Sequence, residues 1–198
     1  MSLNIAITGT NRGIGLGLVK KYLSEGSNVI AFHRNPISKE LLDLNNEYNK
    51  KCILIELDVS SKSSHQNAMK LLLENNNNII LDILICNAGI ASKNHPIDPP
   101  STCEEDDMIN LYQTNVIGTM FSLQTFSPLL SNNGLIMVMS SRLASIQQCV
   151  GLGGYLSYRC SKVGLNMLAQ TFAEDSSIKE KGIKVLACHP GLLLLLLL

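Results

Sequence analysis

The sequence predicts an α/β protein, a doubly wound parallel sheet in a single domain, and three observations predict it. Apolar runs of strand length alternate six times with stretches of helical pattern. The run at 79–86 is almost wholly apolar, as suits a strand buried on both faces. The first run passes straight into a glycine turn that opens a helix. At 198 residues the chain is long enough for one domain with a sizeable core.

The elements follow in order. Residues 3–8 form a short apolar strand, then the glycine turn and a helix to about residue 25. A second strand at 28–33 leads into a helix over 38–49, and a third at 52–57 into a helix over 61–74. Four asparagines at 75–78 read as a polar turn before the fourth strand at 79–86. A Pro- and acid-rich connection at 93–107 precedes one long helix over about 105–126. The fifth strand spans 134–140, a loop with Gly151, Gly153 and Gly154 follows, and a helix runs over 155–179. The sixth strand is 183–188. No linker divides the chain, so residues 1–191 form one Rossmann-like domain.

Composition narrows the partners. Sixteen Lys and Arg offset sixteen Asp and Glu, which argues against nucleic acid or an anionic membrane as the main partner. Six cysteines include no C-x-x-C pair, so reduced buried thiols are expected. The four histidines lack metal-ligand spacing, and no metal is expected. The N-terminus lacks a basic leader with an apolar core, and a cytoplasmic location follows as the expectation. The leucine run at 192–198 is far shorter than the roughly 20 residues of a membrane span.

The glycine turn reads Thr8-Gly-Thr-Asn-Arg-Gly-Ile-Gly15. Its spacing is G-x-x-x-G-x-G, which lets the backbone turn sharply and approach a pyrophosphate at a helix N-terminus. Gly9, Asn11, Arg12, Gly13, Ile14 and Gly15 are therefore candidate cofactor contacts. Nucleotide folds that prefer NAD carry an acid at the end of the second strand. Here that strand ends Phe-His-Arg34-Asn, without one. Arg34 and Arg12 are placed to hold a 2′-phosphate, which points to NADP(H).

Tyr158 and Lys162 are four apart on a helix, hence on one face. An ammonium beside a phenol favours the phenolate and should draw its pKa, near 10 by reference, towards the working range. Ser141 ends the fifth strand at the carboxyl edge of the sheet, where a hydroxyl could polarise a substrate carbonyl. Adjacent Ser140, and Ser145 thirteen residues before Tyr158, compete for that role. For Asp58, a cap on the following helix is an equal reading.

The glycine turn, Asp58-Val59, Asn87-Ala-Gly89, Asn115, Ser140-Ser141, Tyr158-Arg-Cys-Ser-Lys162 and Pro190-Gly191 occur in the order seen in the short-chain dehydrogenase/reductase superfamily. The chain resembles that superfamily from about residue 3 to 191. Within it, Thr-Asn-Arg-Gly-Ile-Gly and Gly-Gly-Tyr-Leu-Ser-Tyr-Arg-Cys-Ser-Lys are similar to the sniffer and C-factor type of carbonyl reductase. The resemblance implies a carbonyl or alcohol substrate. It makes Tyr158 the general acid, puts Lys162 on the nicotinamide ribose, favours Ser141 over its neighbours, and has Asn115 hold a relay water. It also implies that Asp58 and Val59 meet the adenine, and that Asn87, Ala88, Gly89, Pro190 and Gly191 border the cofactor. Relatives are either monomers or homodimers paired through the helices at 105–126 and 155–179.

Relatives continue past Pro-Gly with a threonine, a substrate-covering loop and a seventh strand, where this sequence has leucines only. The C-terminal part of the domain is thus expected to be incomplete, with 192–198 unassigned. Two other readings remain: a non-catalytic NADP(H)-binding regulatory protein, and a flavodoxin-like module that would have no use for Tyr158 and Lys162.

Overall fold

The computed structural model describes residues 2–92, 98–149 and 153–191; the leucine run at 192–198 lies outside these, as do parts of the loops at 93–97 and 150–152. Six parallel strands form one sheet in the order β3-β2-β1-β4-β5-β6. They are β1 (Asn4–Thr8), β2 (Asn28–His33), β3 (Cys52–Glu56), β4 (Leu81–Cys86), β5 (Leu130–Met139) and β6 (Lys184–Cys188). The helices between them are α1 (Gly13–Ser24), α2 (Lys39–Tyr48), α3 (Lys62–Asn75), α4 (Glu105–Tyr112), α5 (Gly118–Phe126), α6 (Leu156–Ala173) and α7 (Ser176–Glu180).

Side chains alternate along a strand, so a central sheet needs apolar residues at every position to seal both faces. Ile5, Ile7, Val29, Ala31 and Ile85 point to one face and pack with Val19 and Leu23 of α1 and Leu41 of α2. Ala6, Ile30, Phe32, Leu84 and Cys86 point to the other, against Leu72 of α3, Phe126 of α5 and Leu165 of α6. Phe32 and Phe126 stack with ring centroids 4.5 Å apart. Coverage stops at the β6 edge, where Leu186 is 47% exposed.

Two helices depart from the sequence reading. The long helix at 105–126 is interrupted by one π-helical turn at Gln113–Ile117, joining α4 to α5. The helix at 155–179 ends as α6 at Ala173, and Asp175 starts α7 by accepting a hydrogen bond from the Ser177 N–H at 2.9 Å. Strand β5 begins at Leu130, earlier than the apolar run suggests, because Leu130 already pairs with Leu81 across a register shift.

The neighbours of β1 are β2 on one side and β4 on the other, so the chain reverses its direction of growth there. The carboxyl ends of β1 and β4 therefore diverge into a crevice, the place where such sheets bind ligands.

Candidate active site

The crevice begins with a knot of polar bonds. The Thr8 hydroxyl accepts from the Asn87 and Ala88 N–H groups, each at 3.0 Å. The Asn87 amide donates back to the Thr8 and Gly9 carbonyls at 2.9 and 3.1 Å. This lashes the β1 turn to the end of β4. Gly9 has φ +70, and a Cβ there would lie 2.8 Å from Ala88 Cα; a Cβ on Gly15 would lie 2.2 Å from the Gly9 carbonyl oxygen. Neither position admits a side chain.

Helix α1 then starts without a side-chain cap, since Arg12 makes none. Its first N–H groups and positive dipole end face the cleft. A Cβ on Gly13 would meet nothing within 4 Å, which leaves room for a ligand to approach this turn.

The cleft has a volume of about 1040 Å³. Gly9, Asn11, Arg12, Gly13, Ile14, Arg34, Asp58, Val59, Asn87, Ala88 and Gly89 all line it. Of the turn residues singled out from sequence, Gly15 alone lies behind the lining, as the close-packing position. The Asn11 side chain is committed to the protein: it donates to the Arg34 carbonyl at 2.5 Å and accepts from Ser38 N–H at 3.0 Å. It shapes the β2–α2 loop, so its expected ligand contact reduces to the backbone. Arg12 and Arg34 share their end of the cleft with Glu40 and Glu56. Burial would push the Asp58 carboxyl up, but bonds from Ser60, aided by the charges of Arg34 and His65, hold it below the usual range. Asp58 closes its own turn by accepting from Ser60 N–H at 2.9 Å. The cap of α3 is Ser61, whose hydroxyl accepts from Ser64 N–H at 3.2 Å, so the reading of Asp58 as that helix's cap does not hold.

A smaller pocket of about 200 Å³ shares Ile14, Asn87, Gly89 and Ile90 with the cleft and adds Met139, Ser140, Tyr158, Lys162 and Pro190. Helix α6 presents Tyr158, Lys162 and Asn166, four apart, to the end of β5. The Ser141 hydroxyl accepts from Leu143 N–H at 3.1 Å in its own turn and stands near enough to the Tyr158 phenol to favour its ionised form. Lys162 Nζ donates to the Met139 carbonyl at 2.7 Å, and the Ser140 hydroxyl donates to Asn166 Oδ1 at 2.6 Å. Of the three candidate serines, Ser140 lines the pocket with Tyr158, and Ser141 is the one whose hydroxyl acts on the phenol. Ser140 is spent on Asn166, and the Ser145 hydroxyl accepts from Gln148 N–H at 3.3 Å within its own turn.

The electrostatics correct one expectation. Lys162 Nζ lies 5.6 Å from the Tyr158 ring centroid and is bonded to Met139, so it does not drive the phenol's titration. Burial raises the Tyr158 pKa, with Ser141 opposing it. Burial also lowers Lys162 from 10.5 to about 8.

Asn115 is fully buried in the π turn. Its carbonyl oxygen accepts from Ile90 N–H at 2.8 Å, and its amide donates to the Ile90 carbonyl at 2.9 Å and to Ser161 Oγ at 3.0 Å. Gly89 is the reason these groups can meet: a Cβ there would sit 3.1 Å from Asn115 Oδ1 and 3.4 Å from Lys162 Nζ. Gly191 has φ +81 and a Cβ there would meet nothing within 4 Å; only Pro190 of that pair reaches the pocket.

Thr8, Thr114, Asn166 and Ser161 were not anticipated. Thr8 directly precedes the first glycine and Asn166 continues the four-residue spacing of Tyr158 and Lys162, so both had a signal. Thr114 and Ser161 had none beyond adjacency to Asn115 and Lys162.

A switch-point crevice with an uncapped helix beside it, opening onto a Ser-Tyr-Lys cluster, defines the class of nucleotide-linked oxidoreductases. The chain belongs to the short-chain dehydrogenase family, whose model, described as "short chain dehydrogenase", matches residues 3–194. It is 28% identical over 192 residues to a benzil reductase ((S)-benzoin forming) of Bacillus cereus, covering 94% of this chain and 74% of the relative. The structure is similar to that of NADPH-bound carbonyl reductase from chicken fatty liver, with TM-score 0.84 and 31% identity over 96% of this chain and 76% of that one. It is also similar to the carbonyl reductase Sniffer of D. melanogaster, with TM-score 0.86 and 27% identity over 96% and 81%. The chain is thus an oxidoreductase of the short-chain dehydrogenase and carbonyl reductase type. No described helix is long and apolar enough to cross a membrane.

Proposed function

We propose that this chain is an NADPH-dependent carbonyl reductase that takes a ketone, aldehyde or quinone to an alcohol, with Tyr158 as general acid. The observation that carries the reading is the meeting of Tyr158 and Lys162 in a small pocket that shares its wall with the nucleotide cleft.

The residues suit a dinucleotide. Gly9, Gly13 and Ile14 with the α1 N-terminus would take the pyrophosphate. Asp58 and Val59 would border the adenine, and Asn87, Ala88, Gly89 and Pro190 the nicotinamide half. Arg12 and Arg34 would take a 2′-phosphate, and the end of β2 carries no acid to bond a free 2′-hydroxyl. The chicken-liver relative is described as NADPH-bound.

The bound dinucleotide supplies a hydride to the carbonyl carbon. Ser141 orients and polarises the carbonyl oxygen. Tyr158, held protonated at neutral pH by burial, gives that oxygen its proton, and the alcohol leaves. Lys162, still mostly cationic at neutral pH, would bond the nicotinamide ribose and so keep the dinucleotide beside Tyr158. Asn115, bonded to Ile90 and Ser161, keeps the floor of the pocket rigid behind Lys162.

The test is NADPH oxidation at about 340 nm over a panel of ketones, aldehydes and quinones, with alcohol formed one for one. Arg34→Asp should weaken NADPH binding on the order of 10-fold or more and leave NADH binding nearly unchanged, since it replaces a charge-assisted phosphate contact with a repulsive one. An unchanged NADPH-to-NADH ratio contradicts the cofactor choice. Tight NADPH binding with no turnover across the panel supports the alternative, a non-catalytic NADP(H)-binding regulatory protein.

A further inference from the structure

Tyr158 sits in the first turn of α6, the part of a helix whose N–H groups have no partner within the helix. Helix α6 does not cap itself. Tyr155, at the cap position, has φ 58 and makes no capping bond. The missing acceptors come from a different part of the chain. The Asp98 carbonyl accepts from Leu156 N–H at 3.1 Å, and Asp98 Oδ2 accepts from Ser157 N–H at 2.8 Å. The Ser157 hydroxyl donates to the same carboxylate oxygen. Asp98 and Ser157 are each 1% exposed. Those bonds hold the Asp98 carboxyl below the usual carboxylate range although burial pushes it up.

Asp98 lies in the connection between β4 and α4. The start of that connection, Ile90 and Ala91, lines the same small pocket as Tyr158. A residue from this connection, outside α6, therefore holds the turn of helix that bears the acid. An acceptor for two successive N–H groups fixes both the height of the helix end and its rotation. Charge-assisted bonds to a carboxylate are among the stronger and shorter ones available for this.

We infer that Asp98 is a positioning residue for the reaction, a cap supplied across the fold that sets where the Tyr158 phenol stands relative to Ser141 and the substrate. The inference rests on the reading of Tyr158 as general acid. A displacement of about 1 Å at such a group can cost about 100-fold in rate, so the cap acts on turnover more than on cofactor affinity.

The experiment compares Asp98→Ala, Asp98→Asn and Ser157→Ala with the wild type in the full chain. It reads kcat with a carbonyl the wild type reduces, and NADPH affinity by fluorescence titration. Asp98→Ala should lower kcat about 10- to 100-fold, with NADPH affinity within about twofold. Asp98→Asn, whose amide oxygen still accepts from Ser157 N–H, should recover most of the loss. Ser157→Ala, which keeps the N–H and loses the hydroxyl, should fall between the two. Wild-type kcat in Asp98→Ala overturns the inference, as does a parallel fall of kcat and NADPH affinity, the mark of general loosening. Should Asp98→Ala fail to fold, wild-type kcat in Ser157→Ala overturns it. If the wild type reduces no carbonyl, the functional reading fails instead, and amide exchange then tests the cap alone. Asp98→Ala should speed exchange at Ser157, with Asp98→Asn recovering most of the protection, while amides of β1 and β4 keep wild-type protection. Unchanged exchange at Ser157 in Asp98→Ala overturns the cap.

Discussion

Lys162 is held under two opposing demands. The residue is only 4% exposed and its ammonium donates to the Met139 carbonyl, yet the proposed chemistry uses it as a cation. Burial lowers its pKa from 10.5 to about 8, so it keeps its proton at neutral pH at a cost in stability. The sign of the pH dependence follows. Below about 8 both folded and unfolded chains hold the proton and the cost is present in full. Between about 8 and 10.5 the unfolded chain binds the extra proton, so stability due to Lys162 rises with pH. Urea unfolding of wild type and Lys162→Met at about pH 7.5 and pH 10 should show the wild type gaining on the variant by roughly 1–3 kcal/mol. A constant gap would mean the ammonium is not desolvated. Tyr158 and Lys162 stood out in the sequence because their four-residue spacing is local, whereas the preference for Ser141 over Ser140 and Ser145 rested on the family resemblance. Asp98 was not: its partners Leu156 and Ser157 are nearly sixty residues away, and no periodicity records such a contact. The direction of the Tyr158 shift was also illegible, because four-residue spacing places two side chains on one face without saying which acceptor the lysine takes.

The β1 turn shows how one element converts glycine spacing into a binding surface. Its three glycines do different things, and substitution separates them. Gly15→Ala would force a Cβ to 2.2 Å from the Gly9 carbonyl oxygen and 2.6 Å from the Asn87 amide, so the turn must open. The expected loss is roughly 2–4 kcal/mol with a matching fall in NADPH affinity, the scale of a serious overpacking. Gly13→Ala meets open space and bears only the strain of its positive φ, about 1 kcal/mol. Equal losses in urea unfolding would contradict the packing argument. The turn and the six strands could be read in advance, since glycines after an apolar run and continuous apolar runs of strand length are local. The break in the helix at 105–126 could not. The π turn arises where α5 presses against the loop after β3, with Gly118 so close that a Cβ would lie 2.7 Å from the Val59 carbonyl oxygen. That widened turn is what buries the Asn115 side chain against Ile90 and Ser161.

At the scale of the molecule, the sheet assembles one site from segments spread over most of the chain. The order β3-β2-β1-β4-β5-β6 puts the ends of β1, β4 and β5 side by side. The glycine turn, Asn87 to Gly89, and Ser140 therefore border a single crevice, and α6 lays Tyr158 and Lys162 across its inner end. Strand alternation and strand-end motifs made this architecture readable. The loops that shape the substrate pocket carry no periodicity, so neither the substrate nor the Asp98 link could be read from them. The most direct measurement of the central claim is single-turnover NADPH oxidation by wild type and Tyr158→Phe with the same carbonyl. The phenylalanine keeps the ring and removes the proton donor, so the hydride step should slow about 100- to 10,000-fold while NADPH still binds. Equal rates in the two proteins would contradict the assignment of Tyr158 as the acid.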